Sequence, residues 1–265
     1  IVAVHGLGGH WIRTWQHDNG QVWLRDFLPA QLRELEIRPR IMSFGYNANT
    51  TFTKSVGGIS DQSMMLLDRL DGKRMQSYEQ QRPIIFLAHG LGGLVVKKVK
   101  HTHSWDDMYR DLLENIRGIV FFAVPHRGAN LAMWASFPAR VGKHTSLGLA
   151  GNTRFLDALK RDSIERSEIS NAFVRRAVHL RIRTFYETEK TGNSLVVDQE
   201  SARLNVPNEV AVGVADSDHW TICKFDSKGC QRYGPVWKAV AKMAQGVLQQ
   251  QSLCVNHRVL SDGVD

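Results

Sequence analysis

The chain has 265 residues, of which 43% are hydrophobic and 23% are charged, with a formal net charge of +8. The length suits one well-buried domain, and the composition is ordinary for a globular protein. No apolar run approaches the roughly 20 residues that cross a bilayer, so we expect no transmembrane segment in this chain.

The distribution of basic residues argues against a nucleic-acid partner, and the cysteine pattern argues against disulfides and a zinc site. Basic residues are scattered, as at Lys97 and Arg175, and no basic block alternates with aromatic residues. This pattern favours a solvated basic surface, able to approach an acidic one, and no nucleic-acid partner. Cys223, Cys230 and Cys254 are odd in number and have no CxxC spacing, which predicts a reducing compartment without disulfides or zinc. We expect no metal and no cofactor.

Strand-like apolar runs alternate along the chain with amphipathic stretches of helical length. This alternation predicts an α/β domain with a parallel sheet covered by helices on both faces. Strands are predicted at residues 1–5, 40–44, 84–88, 118–124, 180–186 and 210–214. Helices are predicted at 22–35, 60–70, 91–98, 152–161, 164–177 and 235–248.

The domain is expected to cover residues 1–250, with a polar tail or linker at 251–265. The first residue is Ile1, without an initiator methionine or a leader pattern. We therefore expect the chain to be part of a longer polypeptide.

The stretch 84–96, IIFLAHGLGGLVV, predicts a strand, a tight glycine-rich turn and a helix. This is the pattern of a nucleophile elbow, in which small residues such as Ala88 and Gly92 flank the reactive position on either side. Here that position is Gly90, so the attacking hydroxyl is missing. Two alternatives remain: a dinucleotide-binding loop, which would need glycine at Val95, and a plain structural turn.

Two loops carry the other groups that such an elbow needs. The loop 5–9, HGLGG, directly follows the first strand and is predicted to offer the backbone N–H of Leu7 to an oxyanion. The second N–H of this oxyanion hole would come from Leu91, the residue after the nucleophile position.

A histidine and an acid follow in the chain order expected for a catalytic triad. His219 lies after the last predicted strand and is the predicted general base. Glu187 directly follows the fifth predicted strand and is the predicted acid, with Asp198 as the runner-up. His126 is predicted to shape the loop beside the elbow. Six tryptophans are predicted to pack in the core and against helices and not to form a ligand cage: Trp11, Trp15, Trp23, Trp105, Trp134 and Trp237.

Several longer motifs match one known group of domains. They are VHGLGGH (4–10), RPIIFLAHGLGGLVVKK (82–98), GIVFFAVPHRG (118–128), VVDQESARL (196–204) and DHWTICKFDS (218–227). On these motifs the chain resembles the lipase-like serine-hydrolase domain found at the N-terminus of many fungal NACHT, NB-ARC and ankyrin-repeat proteins. SERAC-type proteins carry a similar domain, and PGAP-type lipases are related.

The resemblance implies an α/β-hydrolase fold with a lid-like helical insertion at residues 130–177. In that family a serine stands where this chain has Gly90, and Glu187 and His219 match the acid and the base. Because loss of the nucleophile costs on the order of 10⁶ in kcat, the resemblance implies a catalytically impaired module with a binding or signalling role. The alternative is an active carboxylic-ester hydrolase or lipase acting on lipid esters.

The resemblance also bears on partners and location. It implies a lipid or acyl ligand, and downstream NACHT, NB-ARC or repeat domains in the full-length protein. It further implies an intracellular, cytoplasmic location and an association with mitochondrial or endoplasmic reticulum membranes.

Overall fold

The computed structural model describes residues 1–48, 58–101, 108–126, 168–192 and 195–261. Its centre is a six-stranded sheet in which every neighbouring pair of strands is parallel. The strands are β1 (Val2–Val4), β2 (Met42–Phe44), β3 (Ile84–His89), β4 (Ile116–Phe122), β5 (Arg181–Glu187) and β6 (Glu209–Val214). The predicted parallel sheet is confirmed.

The strand order, β2-β1-β3-β4-β5-β6, places β1 between β2 and β3. The connection after β1 therefore leads to one side, and the connection after β2 returns across β1 to the other side. Ligands of open parallel sheets bind in the crevice at the carboxyl ends of the strands where the order reverses. That crevice lies where β1 and β3 end, at the loop 5–9 and at Gly90.

The strands β1, β3 and β4 in the middle of the sheet are largely buried, whereas β2 and β6 at its edges are only partly buried. All six residues of β3 are buried, as expected for an apolar strand covered on both faces. β4 begins and ends two residues earlier than predicted. It ends at Phe122 because Ala123 has φ +45°, a left-handed conformation that a strand cannot continue.

Helices cover the sheet in the described ranges. They are α1 (Trp23–Asp26), α2 (Leu28–Glu34), α3 (Gly58–Asp71), α4 (Ser77–Gln80), α5 (Gly92–His101), α6 (Arg110–Glu114), α7 (168–176), α8 (Gln199–Ala202) and α9 (Tyr233–Ser261). None of these helices combines the length and the hydropathy needed to cross a bilayer.

Some helices differ from the prediction. The single helix expected at 22–35 is two helices that meet at Phe27 (φ −118°), because Pro29 in the first turn of α2 has no N–H to continue the hydrogen bonding of α1. The short helices α4, α6 and α8 were not predicted. Helix α9 continues to Ser261, well past residue 248, where the predicted helix ends. The domain boundary at residue 250 stays a prediction. The predicted helix 152–161 and most of the insertion 130–177 lie outside the described residues.

Large aromatic side chains fill the core beside the sheet. Trp15 and Trp23 are fully buried and meet edge to face, and the indole N–H of Trp23 donates to the carbonyl of Cys223 at 2.9 Å. Trp237 is partly buried against this core. The prediction is wrong for Trp11, which is 47% exposed, and Trp105 and Trp134 lie outside the described residues.

Candidate active site

Gly90 forms the tip of the turn between β3 and α5. Its φ of +51° is a conformation that glycine adopts at little cost and that other residues adopt only under strain. The Gly90 N–H donates to the carbonyl of Phe122 at 2.9 Å, and the Gly93 N–H donates to the Gly90 carbonyl at 3.1 Å. These bonds fix the turn between the carboxyl end of β3 and the first turn of α5.

The loop after β1 packs against this turn, backbone to backbone. A Cβ atom on Gly6 would stand 2.7 Å from the His89 carbonyl oxygen and 2.9 Å from the Leu91 nitrogen. A Cβ atom on Gly92 would stand 2.4 Å from the carbonyl oxygen of His5. Both positions therefore require glycine, and the approach brings the loop 5–9 next to the elbow as the sequence predicts.

Two backbone amides at this contact have no acceptor among the residues that the structure describes. Within the described residues, the N–H groups of Leu7 and Leu91 make no hydrogen bond, although both residues are buried. Buried backbone N–H groups are nearly always paired, so two unpaired ones on adjoining loops are unusual. These are the amides that the sequence assigns to an oxyanion hole, and that role stays a prediction.

His219 faces the position where a nucleophile would stand. A Cβ atom built on Gly90 would lie 3.2 Å from Nε2 of His219 and 3.5 Å from its Cε1. Leaving aside residues 89 and 91, no other heavy atom of the described residues lies within 4 Å of that Cβ position. A side-chain hydroxyl at position 90 would thus be within reach of the imidazole.

The carboxylate of Glu187 holds the other edge of the imidazole. The distance from His219 Nδ1 to Glu187 Oε1 is 3.4 Å, and both side chains are buried. The backbone N–H groups of Val196 and Val197 donate to the same carboxylate, at 3.1 Å and 2.5 Å. These two charge-assisted bonds fix the orientation of Glu187, which in turn orients His219.

The runner-up acid, Asp198, is engaged elsewhere. It precedes α8, and its Oδ1 accepts the N–H of Ser201 at 2.7 Å, which makes Asp198 the N-cap of that helix. The structure thus brings Gly90, His219 and Glu187 together and leaves Asp198 as a helix cap.

Two further histidines at the site were not assigned a role from the sequence. The His89 ring lies 4.8 Å from the His219 ring, and its Nε2–H donates to the His219 carbonyl at 2.8 Å. Burial, and secondly the charge of His219, lower the pKa of His89 to about 3, so it stays neutral. His5 stacks on Tyr46, whose hydroxyl donates to the His5 carbonyl at 2.8 Å, and burial lowers the pKa of His5 to about 4.

His126 lies near a second group of buried polar side chains. Its ring packs edge to face on Phe121, and its two nitrogens have no hydrogen-bond partner within the described residues. Lys97 is fully buried, its Nζ donates to the hydroxyl of Ser170 at 2.7 Å, and burial lowers its pKa to about 7. In the described part of the chain, no three His, Cys, Asp or Glu side chains are grouped to hold a metal ion.

The sheet order and the turn after β3 define a class of protein. The chain has the α/β-hydrolase fold, as its likeness to solved structures shows. The Bacillus licheniformis lipase BlEst2 superposes with a TM-score of 0.51 at 16% identity, over 91% of this chain and 90% of that one. Phospholipase PlaB from Legionella pneumophila gives a TM-score of 0.52 at 16% identity, over 71% of this chain and 38% of that one.

Among curated proteins the chain is similar to Protein SERAC1. The Danio rerio protein is 28% identical over 254 residues, covering 86% of this chain and 36% of its own length. The Homo sapiens protein is 26% identical over 257 residues, covering 88% of this chain and 37% of its own length. The chain thus spans little more than a third of these relatives. No protein-family model matches the chain.

Proposed function

We propose that this chain is a binding domain with the lipase/esterase fold that has lost hydrolysis of esters. The observation that carries the proposal is Gly90, a position without a nucleophile. Around it stand the elbow, the His219–Glu187 pair and two amides that have no acceptor among the described residues. Hydrolysis by this class of site needs an oxygen or sulfur that attacks the ester carbonyl and then leaves. The described residues within 4 Å of the Gly90 Cβ position offer only an imidazole.

The fate of the other groups supports a retained site. Glu187 is a buried carboxylate that contacts three hydrogen-bonding partners, the N–H groups of Val196 and Val197 and the imidazole of His219. The loop 5–9 still packs closely against the elbow at Gly6. A domain that kept only its fold could replace a buried acid–histidine pair by apolar residues at no cost in stability. Retention of this pair favours a site that still recognises a ligand.

The ligand and the wider role follow from the resemblance. Because the solved neighbours include lipases and a phospholipase by name, we propose a lipid or acyl ligand. The chain covers about a third of its curated relatives, and we propose that it reports ligand binding to other domains of a longer protein, of the NACHT, NB-ARC or repeat type. Association with an intracellular membrane belongs to the same proposal.

The same pair supports one alternative function. His219 could activate a water molecule in the volume above Gly90, and attack by that water would hydrolyse an ester without a covalent intermediate. Such a reaction would still depend on His219, so a comparison of the unmodified chain with His219→Ala distinguishes the two functions.

The test is hydrolysis of a p-nitrophenyl ester by the unmodified chain and by His219→Ala. We expect the two proteins to give the same rate, equal to that of an exposed-histidine control, His179→Ala. Turnover by the unmodified chain that His219→Ala abolishes and His179→Ala preserves would overturn the proposal and establish the water mechanism.

A further inference from the structure

A second cleft lies at the end of the sheet opposite Gly90. Because the strands are parallel, the segments that lead into β2, β3 and β4 meet at the amino ends of the strands, whereas Gly90 lies at a carboxyl end. The cleft there has a volume of about 850 Å³ and is lined by residues of the segments 37–42, 74–85 and 111–117 and of α9. Its lining, as far as the structure describes it, includes no residue of the candidate active site.

Arginine side chains hold the walls of this cleft together. The side chain of Arg74 is buried, and its Nη2 donates to the carbonyls of Gln80 at 2.5 Å and Arg82 at 2.6 Å. Arg82 in turn donates to the carbonyl of Arg38 at 3.2 Å. These acceptors are neutral, so the positive charges of Arg74 and Arg82 are solvated by the backbone and not cancelled.

The charge of the cleft is only partly neutralised. Arg40 forms an ion pair with Glu79. Burial, followed by the charges of Arg82 and Arg40, lowers the pKa of Arg74, so these guanidinium groups are close enough to repel one another. The charged residues that line the cleft are Arg38, Arg40, Arg74, Arg82, Arg117, Glu79, Asp111 and Glu114. Positive charge is in excess, and an anion in the cleft would relieve the repulsion.

Two exposed apolar side chains stand beside these arginines. Met75 directly follows Arg74 and is 77% exposed, and Tyr78 lines the cleft and is 68% exposed. Tyrosine is enriched at the level of the lipid headgroups, and apolar side chains beside basic ones are typical of surfaces that lie on a bilayer. An anionic bilayer offers both matching parts, because its phosphate groups lie directly above its acyl chains.

We propose that this cleft binds the phosphate group of an anionic phospholipid at a membrane surface, with Arg38 and Arg82 on the phosphate and Met75 and Tyr78 in the interface. This inference rests on the membrane association in the proposed function, and it assigns that association to the amino end of the sheet. A soluble phosphate compound would meet the same arginines but would leave Met75 and Tyr78 in water.

The test is cosedimentation of the unmodified chain with vesicles of phosphatidic acid and phosphatidylcholine in equal amounts, and with vesicles of phosphatidylcholine alone. We expect the acidic vesicles to bind the chain at least about 10-fold more strongly. Free sn-glycerol 3-phosphate, at the concentration of the accessible lipid phosphate, should leave the bound fraction unchanged. Equal binding to both kinds of vesicle, or displacement by the free phosphate ester, would overturn the proposal.

Matched variants locate the surface. Arg38→Gln and Arg82→Gln should each weaken binding about 5-fold, the contribution of one arginine near an anionic bilayer. The Arg38 side chain is exposed and makes no hydrogen bond within the described ranges, so its replacement leaves the fold intact. Arg13→Gln removes the same charge from the loop after β1, at the carboxyl end of the sheet, and should bind as the unmodified chain does.

The apolar rim is tested in the same way. Met75→Ser should weaken binding to acidic vesicles, whereas Met65→Ser, at an exposed methionine of α3, should not. Binding that Arg13→Gln weakens and Arg38→Gln preserves would overturn this inference and keep the proposed membrane association, and no binding to any vesicle would overturn both. Esterase activity that depends on His219 would overturn the proposed loss of hydrolysis alone.

Discussion

Restoring the missing hydroxyl is the most informative perturbation of this site. In Gly90→Ser, the new Cβ would lie 3.2 Å from Nε2 of His219, which places a hydroxyl within hydrogen-bonding reach of the imidazole. Loss of a triad serine costs on the order of 10⁶ in kcat, so restoration can return at most about that factor. The 3.4 Å contact between His219 and Glu187 is longer than an ideal charge-assisted bond, and we therefore expect a gain of about 10³-fold or more.

The same substitution has a cost in stability that can be worked out separately. Gly90 has φ +51°, where a side chain costs about 1–2 kcal/mol, and the His219 ring must yield by a few tenths of an ångström. For a domain of this size, that corresponds to a fall in Tm of about 2–8 °C. Gly90→Ala carries the same strain and the same contact without the hydroxyl, so it is the matched control.

The assay is steady-state hydrolysis of p-nitrophenyl esters, together with thermal unfolding of both variants. We expect the two variants to lose similar stability and only Gly90→Ser to gain activity. If Gly90→Ser folds and is no more active than Gly90→Ala, the assignment of His219 and Glu187 as a competent base and acid is refuted.

Three further predictions concern ionisable groups. In the Gly90→Ser background, Glu187→Gln should lower kcat by about 10²–10⁴, because an amide favours the wrong histidine tautomer; an unchanged kcat would exclude Glu187 as the acid. His5 and His89 have pKa values lowered to about 4 and about 3, so the unfolded chain binds protons first as pH falls below 6.5, and denaturant unfolding should show a loss of about 2 kcal/mol per histidine between pH 7.5 and 5. The lowered pKa of Lys97, about 7, means that the unfolded chain keeps a proton that the folded chain has released. Between pH 7 and 9 the unmodified chain should therefore gain roughly 2–3 kcal/mol relative to Lys97→Met, and parallel pH profiles would contradict a buried, largely neutral amine.

The middle of the sheet could be predicted because β1, β3 and β4 are largely buried runs of apolar residues. β3, IIFLAH, is buried throughout, and its continuous apolar pattern has no helical period. The ends of elements were harder to place. The end of β4 depends on the left-handed Ala123, a residue type that gives no turn signal in the sequence. The break between α1 and α2 has a local signal, because Pro29 in the first turn of α2 cannot donate to the carbonyl four residues earlier.

The candidate site could be predicted in part because the elbow is a local motif and because Gly90, Glu187 and His219 follow one another in the order that such a site requires. A local signal distinguishes the role of Asp198 from that of Glu187. Asp198 stands three residues before Ser201 at the start of a helix, which is the position of an N-cap. The bond between His89 and the His219 carbonyl joins residues 130 positions apart, and nothing in the local sequence specifies it. The local hint is that His89 is a polar residue at the end of β3, an otherwise apolar strand.

The most direct measurement is the intact mass of the protein after incubation with an alkyl fluorophosphonate, followed by peptide mapping of any adduct. We predict no adduct on the elbow, residues 84–101, of the unmodified chain and a single adduct at position 90 of Gly90→Ser. An adduct on the elbow of the unmodified chain would contradict the claim that this site lacks a nucleophile.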